Sequence, residues 1–176
     1  PHATANPRLS FNHSIAQYDY AIHKTEALYR FGWNTRVFES SGFKLGAKMV
    51  GCVSSTLPAF NDVLDTTHTG ASKTVTNQWL DRITPRSLAY WYMDDGSMSL
   101  SKFTNEVSSV SLHTEGFSQN ENELLAEFLV DYGIRASVKK SRTYWYLYLP
   151  RTSAKRFVDL VAPFVDSSMA YKVLYG

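Results

Sequence analysis

The feature that most constrains how this chain can fold is a repeat within it: residues 9–37 lie over residues 110–138 without a gap, at an offset of 101. Ser10 falls on Ser111, Phe11 on Leu112, Glu26 on Glu127, Leu28 on Leu129, Phe31 on Tyr132, Gly32 on Gly133 and Val37 on Val138. Each copy reads as a short alternating strand, a polar hinge, an amphipathic helix stopped by glycine, and a strand. In the second copy Ser118 and Glu121 have the spacing of a capping box, and Leu124, Leu125, Phe128, Leu129 and Tyr132 mark one helical face. Gly133 supplies the left-handed stop. Ser14 and Gln17 offer the same capping spacing in the first copy, which Gly32 closes. Two more strand-like runs follow each helix, 35–44 then 47–54 and 134–141 then 143–149, with another helix after each pair. In those last helices Phe60, Val63 and Leu64 resemble Phe157, Val158 and Leu160, at an offset that has slipped to 97.

The second copy also has a helix in front of it, 84–95, with Thr84 as N-cap, Pro85 at the first helical position and Gly96 just past the end. Two complete copies need more than the 176 residues present, so the first copy is expected to lack its leading helix. The expected organisation is an α+β fold with a first repeat over 1–72, a linker over 73–84 and a second repeat over 85–176. The chain opens at Pro1 with neither a start methionine nor an apolar leader, which reads as a cut end.

Composition narrows the function classes. Eighteen Lys and Arg against sixteen Asp and Glu leave a net charge of +2, so binding to a polyanion needs local clustering. The single cysteine, Cys52, allows no internal disulfide and no multi-cysteine zinc site, and the five histidines show no metal-ligand spacing. No apolar run approaches the roughly 20 residues of a membrane span. A soluble protein of a reducing compartment is expected.

One element breaks a local rule. Asp94 and Asp95 occupy the last turn of the 84–95 helix, at the negative end of its macrodipole, where Lys, Arg or His are favoured. A divalent cation would relieve both charges; an ordinary Asp-Gly turn is the plain alternative. The run 88–96, LAYWYMDDG, resembles the signature of the LAGLIDADG homing endonucleases, and the repeat is similar to that family's two-copy plan. The segments 80–87 and 168–174 also look like its intron-encoded, two-motif branch. The sequence departs from the signature at Tyr90, where the family has a small residue, and at Met93, where it has an acid.

The resemblance implies two pseudo-symmetric α-β-β-α-β-β-α repeats, forming a saddle whose antiparallel sheets face DNA. It implies a site-specific endonuclease that hydrolyses both strands across the minor groove with Mg²⁺ or Mn²⁺. On this implication Asp95 holds the metal, Gly96 stands beside it as a metal position, and Asp94 supports. Lys73 and Lys172, late in the two copies, are the implied basic catalytic residues. The partner of Asp95 would fall before residue 1, so these residues alone are expected to cut poorly, and the apolar flank 88–93 is expected to lie exposed for a missing helix or a second chain. Relatives of such a fold also act as RNA-splicing maturases or as inactive DNA binders, so intron RNA is a further possible partner. The compartment would be a mitochondrial or plastid matrix or a bacterial cytoplasm.

Recognition falls to the strands, whose alternation sends one residue set to the helices and the other outward. Arg8, Ser10 and Asn12 are expected outward, as are Ser109, Ser111 and His113. Arg36, Lys44 and Lys48 belong to the same expected DNA-binding set, with Arg135, Ser137, Lys139 and Arg142. Residues 134–158 hold seven basic side chains and no acid, whereas 118–132 hold four acids and no base. Tyr144, Tyr146 and Tyr148 form an aromatic row that either meets DNA or shields the sheet.

Overall fold

The computed structural model describes residues 6–40 and 45–174. They fall into two compact units, 1–65 and 66–176. The boundary lies ahead of the 73–84 segment, which packs with the second unit through Val75 and Leu80.

The first unit runs β1 (Ser10–Ser14), α1 (Tyr18–Ala27), β2 (Trp33–Glu39), β3 (Lys48–Ser54) and α2 (Ala59–Thr67), whose last turn crosses the boundary. Its three strands form an antiparallel sheet of order β1-β3-β2. Ala21, Val50 and Cys52 are its buried centre, with Phe11 and Trp33 packed against them. Ser14 caps a short 3-10 turn by accepting from the Ala16 N–H, and Gln17, the residue before α1, makes no side-chain cap on that helix.

The second unit opens with a two-stranded hairpin, β4 (His68–Thr69) and β5 (Ser72–Lys73), and a short α3 (Asn77–Leu80). It continues as α4 (Pro85–Asp95), β6 (Gly96–Leu100), β7 (Val107–Leu112), α5 (Gln119–Val130), β8 (Ser137–Ser141), β9 (Tyr144–Pro150) and α6 (Arg151–Val161). This is the complete α-β-β-α-β-β-α unit, its sheet ordered β6-β7-β9-β8. Helices α4, α5 and α6 cover one face, burying Leu88, Tyr92, Leu125, Leu129, Phe157 and Val158 against Val110, Leu112, Leu147 and Leu149. Thr84 caps α4 by accepting from the Ser87 N–H, and Ser118 with Glu121 forms the expected capping box on α5.

The two copies match where the sequence placed them. Gly32 and Gly133, 101 residues apart, both have positive φ, 59° and 69°, and close the turns that follow α1 and α5. The order β1-β3-β2 repeats β7-β9-β8, so among the described residues the first unit lacks counterparts of both α4 and β6. The gapless offset does not extend through every strand. Gly51 pairs with Asn12 and Arg36, while Tyr148 pairs with Ser111 and Ser137. Holding Arg36 on Ser137 therefore puts Asn12, not Ser10, on the rung of Ser111. A slip of two residues is one full pleat, so each strand keeps its faces.

Candidate functional site

Helix α4 is fixed at its start by Thr84 and Pro85 and along its length by Leu88, Ala89, Tyr92 and Met93, all four fully buried. This corrects the expectation of an exposed apolar flank over 88–93. The segment after α6 covers part of it: Met169 is buried and the Asp166 N–H donates to Met93 Sδ at 3.3 Å. Only Tyr90 and Trp91 of the run remain half-buried.

The helix ends at Asp95, and β6 begins at Gly96 with no intervening loop. Gly96 has φ −95°, which any residue adopts. Glycine is required there by space: a β-carbon would lie 2.0 Å from Tyr92 Cδ2 and 2.5 Å from the Tyr92 carbonyl oxygen. The chain thus turns from helix to strand against the Tyr92 ring, and both carboxylates stay at the surface.

The cation missing from the last turn of α4 arrives from the chain's far end. Lys172, half-buried on the 3-10 turn Ser167–Lys172, donates from Nζ to the carbonyls of Tyr92, Met93 and Gly96 at 3.2, 2.7 and 2.8 Å. The Tyr92 hydroxyl returns a bond to the Lys172 carbonyl at 2.6 Å. An ammonium has three donors, and all three are engaged, so in this arrangement Lys172 holds the helix end. Burial pulls the Lys172 amine below its usual value, opposed by Asp94 and Asp95. Partial burial, with the neighbouring Asp94, pushes the Asp95 carboxyl up, opposed by Lys172 and His113. Burial also pushes the Tyr92 phenol up to about 12.

His113 stands beside this end. Its backbone N–H donates to the Asp95 carbonyl at 2.8 Å, while Nε2 lies 3.0 Å from Ser97 Oγ and Nδ1 lies 3.0 Å from a Glu115 carboxylate oxygen. The order Glu115–His113–Ser97 fixes the ring at the edge of the sheet face turned away from the helices.

That face is a row of hydroxyls around an aromatic strand. Ser97, Ser111, Tyr148 and Ser137 lie on one rung across all four strands, and Lys139 pairs with Tyr146 on the next. Tyr144, Tyr146 and Tyr148 share this face, opposite Trp145, Leu147 and Leu149. Ser109 belongs to it by parity but is buried. Ser97 and Ser99 were missed by reading the motifs, because the alternation of Ser97, Met98, Ser99 and Leu100 is short and follows a helix directly.

The basic run 134–158 is divided by the fold. Lys139 is exposed on the hydroxyl face and Arg142 is exposed at the β8–β9 turn with φ 56°. Arg135 is exposed just before β8, its N–H donating to Ser153 Oγ. Lys140 faces the helix side over the Trp145 ring, Arg151 pairs with Glu106, and Arg156 donates to the Tyr132 carbonyl at 2.8 Å. In the first unit Arg8, Ser10, Asn12 and Arg36 are exposed, joined by Asn34, which alternation with Arg36 would have revealed. Lys48 departs from expectation: its parity is that of Val50 and Cys52, on the helix side, opposite Glu39. Lys44 lies outside the described residues. Lys73 is exposed on β5 opposite His68, a setting unlike that of Lys172.

Comparison with known proteins agrees with this architecture. Residues 2–157 match the model of the LAGLIDADG DNA endonuclease family. The chain is 36% identical over 98 residues to the probable intron-encoded endonuclease 1 of Wickerhamomyces canadensis, covering 55% of this chain and 42% of that protein. It is 30% identical over 115 residues to the probable intron-encoded DNA endonuclease 3 of Mycosarcoma maydis, covering 64% and 81% respectively. The chain therefore spans less than half the length of the first of these relatives. The solved structure of the homing endonuclease I-WcaI bound to its DNA recognition sequence superposes with a TM-score of 0.83 at 24% identity, over 100% of this chain and 80% of that one. The fold is thus that of a solved homing endonuclease, and the family match covers most of the sequence. This chain belongs to the LAGLIDADG DNA endonuclease family.

Proposed function

We propose that the chain is a site-specific endonuclease of double-stranded DNA whose hydrolytic centre is the end of α4. The observation that carries this is the placement of Asp95: a carboxylate raised by partial burial and by Asp94, at the negative end of a helix, opening directly onto a hydroxyl-lined sheet face. The relatives named as DNA endonucleases, and the DNA recognition sequence bound by the similar homing endonuclease, support the same substrate.

The donor chemistry fits Mg²⁺ or Mn²⁺. Asp95 is a hard oxygen ligand, and the Gly96 carbonyl, which accepts from Lys172, has a second lone pair. A cation held there by one carboxylate and one carbonyl would take its remaining ligands from water and substrate phosphate. Such a cation supplies a nucleophilic water and neutralises charge on the phosphate and the leaving 3′-oxygen.

The chain's own residues orient this chemistry. Asp95 would hold the cation, and Lys172, a positioning residue, fixes the Tyr92, Met93 and Gly96 carbonyls at the same helix end. His113, held by Glu115 and Ser97, presents a fixed imidazole edge beside the carboxylate. Lys139 and the hydroxyl rung meet the DNA. Among the described residues no helix is long and apolar enough to cross a membrane. The test is cleavage of duplex DNA selected by the chain from a random pool: slow cutting of one strand at a fixed position with Mg²⁺, none with chelator, and binding retained in both is expected, since the described residues hold one such carboxylate centre. Metal-independent cutting, or selective binding to RNA alone, would contradict the reading.

A further inference from the structure

Equivalent rungs of the two sheets carry opposite chemistry. In the second unit the central strand puts Tyr148 between Ser111 and Ser137. In the first unit the central strand puts Gly51 between Asn12 and Arg36. A β-carbon at Gly51 would lie 2.8 Å from Asn12 Oδ1 and 2.9 Å from Phe38 Cε1, so the floor must be bare for its neighbours to keep their places. The Arg36 guanidinium lies 5.3 Å from the Phe38 ring, an aromatic support for a planar cation. On the next rung Val53 lies between Ser10 and Asn34, which adds a second amide to this face. A hollow of about 630 Å³ opens beside it, lined in part by Arg8, Asn34 and Arg36.

These side chains do different work on base edges. An amide pairs in bidentate fashion with adenine and a guanidinium with guanine, whereas a hydroxyl donates or accepts and fits either base. We propose that the two units read DNA by different chemistries: Asn12, Asn34 and Arg36 of the first unit specify purines by bidentate hydrogen bonds. The hydroxyl and phenol row of the second unit gives affinity with little base preference. The target site is then stringent on one side and tolerant on the other. This rests on the endonuclease reading above and adds to it a division of specificity.

The experiment is selection of bound duplexes from a random pool by the full chain and by four surface variants. Asn12→Ala and Arg36→Ala are each expected to relax the preference at their own purine position by about tenfold or more. Arg36→Lys, which keeps the charge but lacks the planar fork, is expected to weaken that preference while keeping most of the affinity. Ser111→Ala is expected to weaken binding to all sequences alike and to relax no position. A selected site whose preferences survive Asn12→Ala and Arg36→Ala, or relax with Ser111→Ala, overturns this inference and leaves the endonuclease reading standing. A wild-type chain that selects no sequence overturns both.

Discussion

Lys172 shows how a local conflict in sequence is resolved by a distant residue. Two acids at a helix C-terminus are unfavourable unless a cation is near, and the cation here comes from the final 3-10 turn. Nothing in the spacing around residue 95 discloses that partner, because side chains far apart in sequence meet only through the fold. Asp95 and Gly96 were legible because they break or satisfy rules of their own helix. The role of Lys172 as an anchor of three carbonyls was not. Its replacement by Met should destabilise the protein by about 2 kcal/mol, the scale of hydrogen bonds to a charged group, and lower the melting temperature. Specific DNA binding should stay within a few-fold, since Lys172 faces protein carbonyls. An unchanged melting temperature would mean that the helix end holds itself.

At the scale of elements, capping and alternation foretold most of the second unit. Thr84, Pro85, Ser118 and Gly133 all do what their types imply. What escaped was tertiary. Strand β6 is five residues long and starts at the helix end, so its period is too brief to stand out, and Lys48 sits at a strand end where one residue of parity decides the face. Glu121 illustrates a link that only the fold supplies. Besides its cap on Ser118, its carboxylate accepts from the Val75 N–H at 3.0 Å, tying α5 to the segment before α4. Burial raises its pKa, but hydrogen bonds from Ser118, Val75 and Thr74 outweigh this and bring it below the usual 4.5. A depressed carboxyl stabilises the fold above its unfolded pKa, and that contribution fades as pH falls through the folded value. Wild type should therefore lose stability below about pH 4.5 more steeply than Glu121→Gln, in denaturant melts across pH 3 to 6. Parallel pH profiles would remove Glu121 from the acid response.

For the molecule as a whole, the modest net charge of +2 conceals how its cations are sorted. Of the basic run in the second unit, Lys139 shares a face with the tyrosine row and Lys140 packs on Trp145. Only the first should release counterions from DNA. Lys139→Ala should reduce the slope of log affinity against log salt by about one unit, and Lys140→Ala should leave it unchanged. Equal effects of the two would mean that the faces are wrongly assigned. The repeat itself, read from self-similarity at an offset of 101, anticipated the equivalence of the two units and the paired glycines. It did not reveal the two-residue slip, because a slip of one pleat leaves the hydrophobic pattern intact. The central claim, that the end of α4 is the hydrolytic centre, is tested most directly by Asp95→Asn. With the selected duplex and Mg²⁺, single-turnover cleavage should fall at least about a hundredfold while the dissociation constant stays within about tenfold, because the carboxylate holds metal and reads no base. Cleavage at the wild-type rate by the variant would contradict the account.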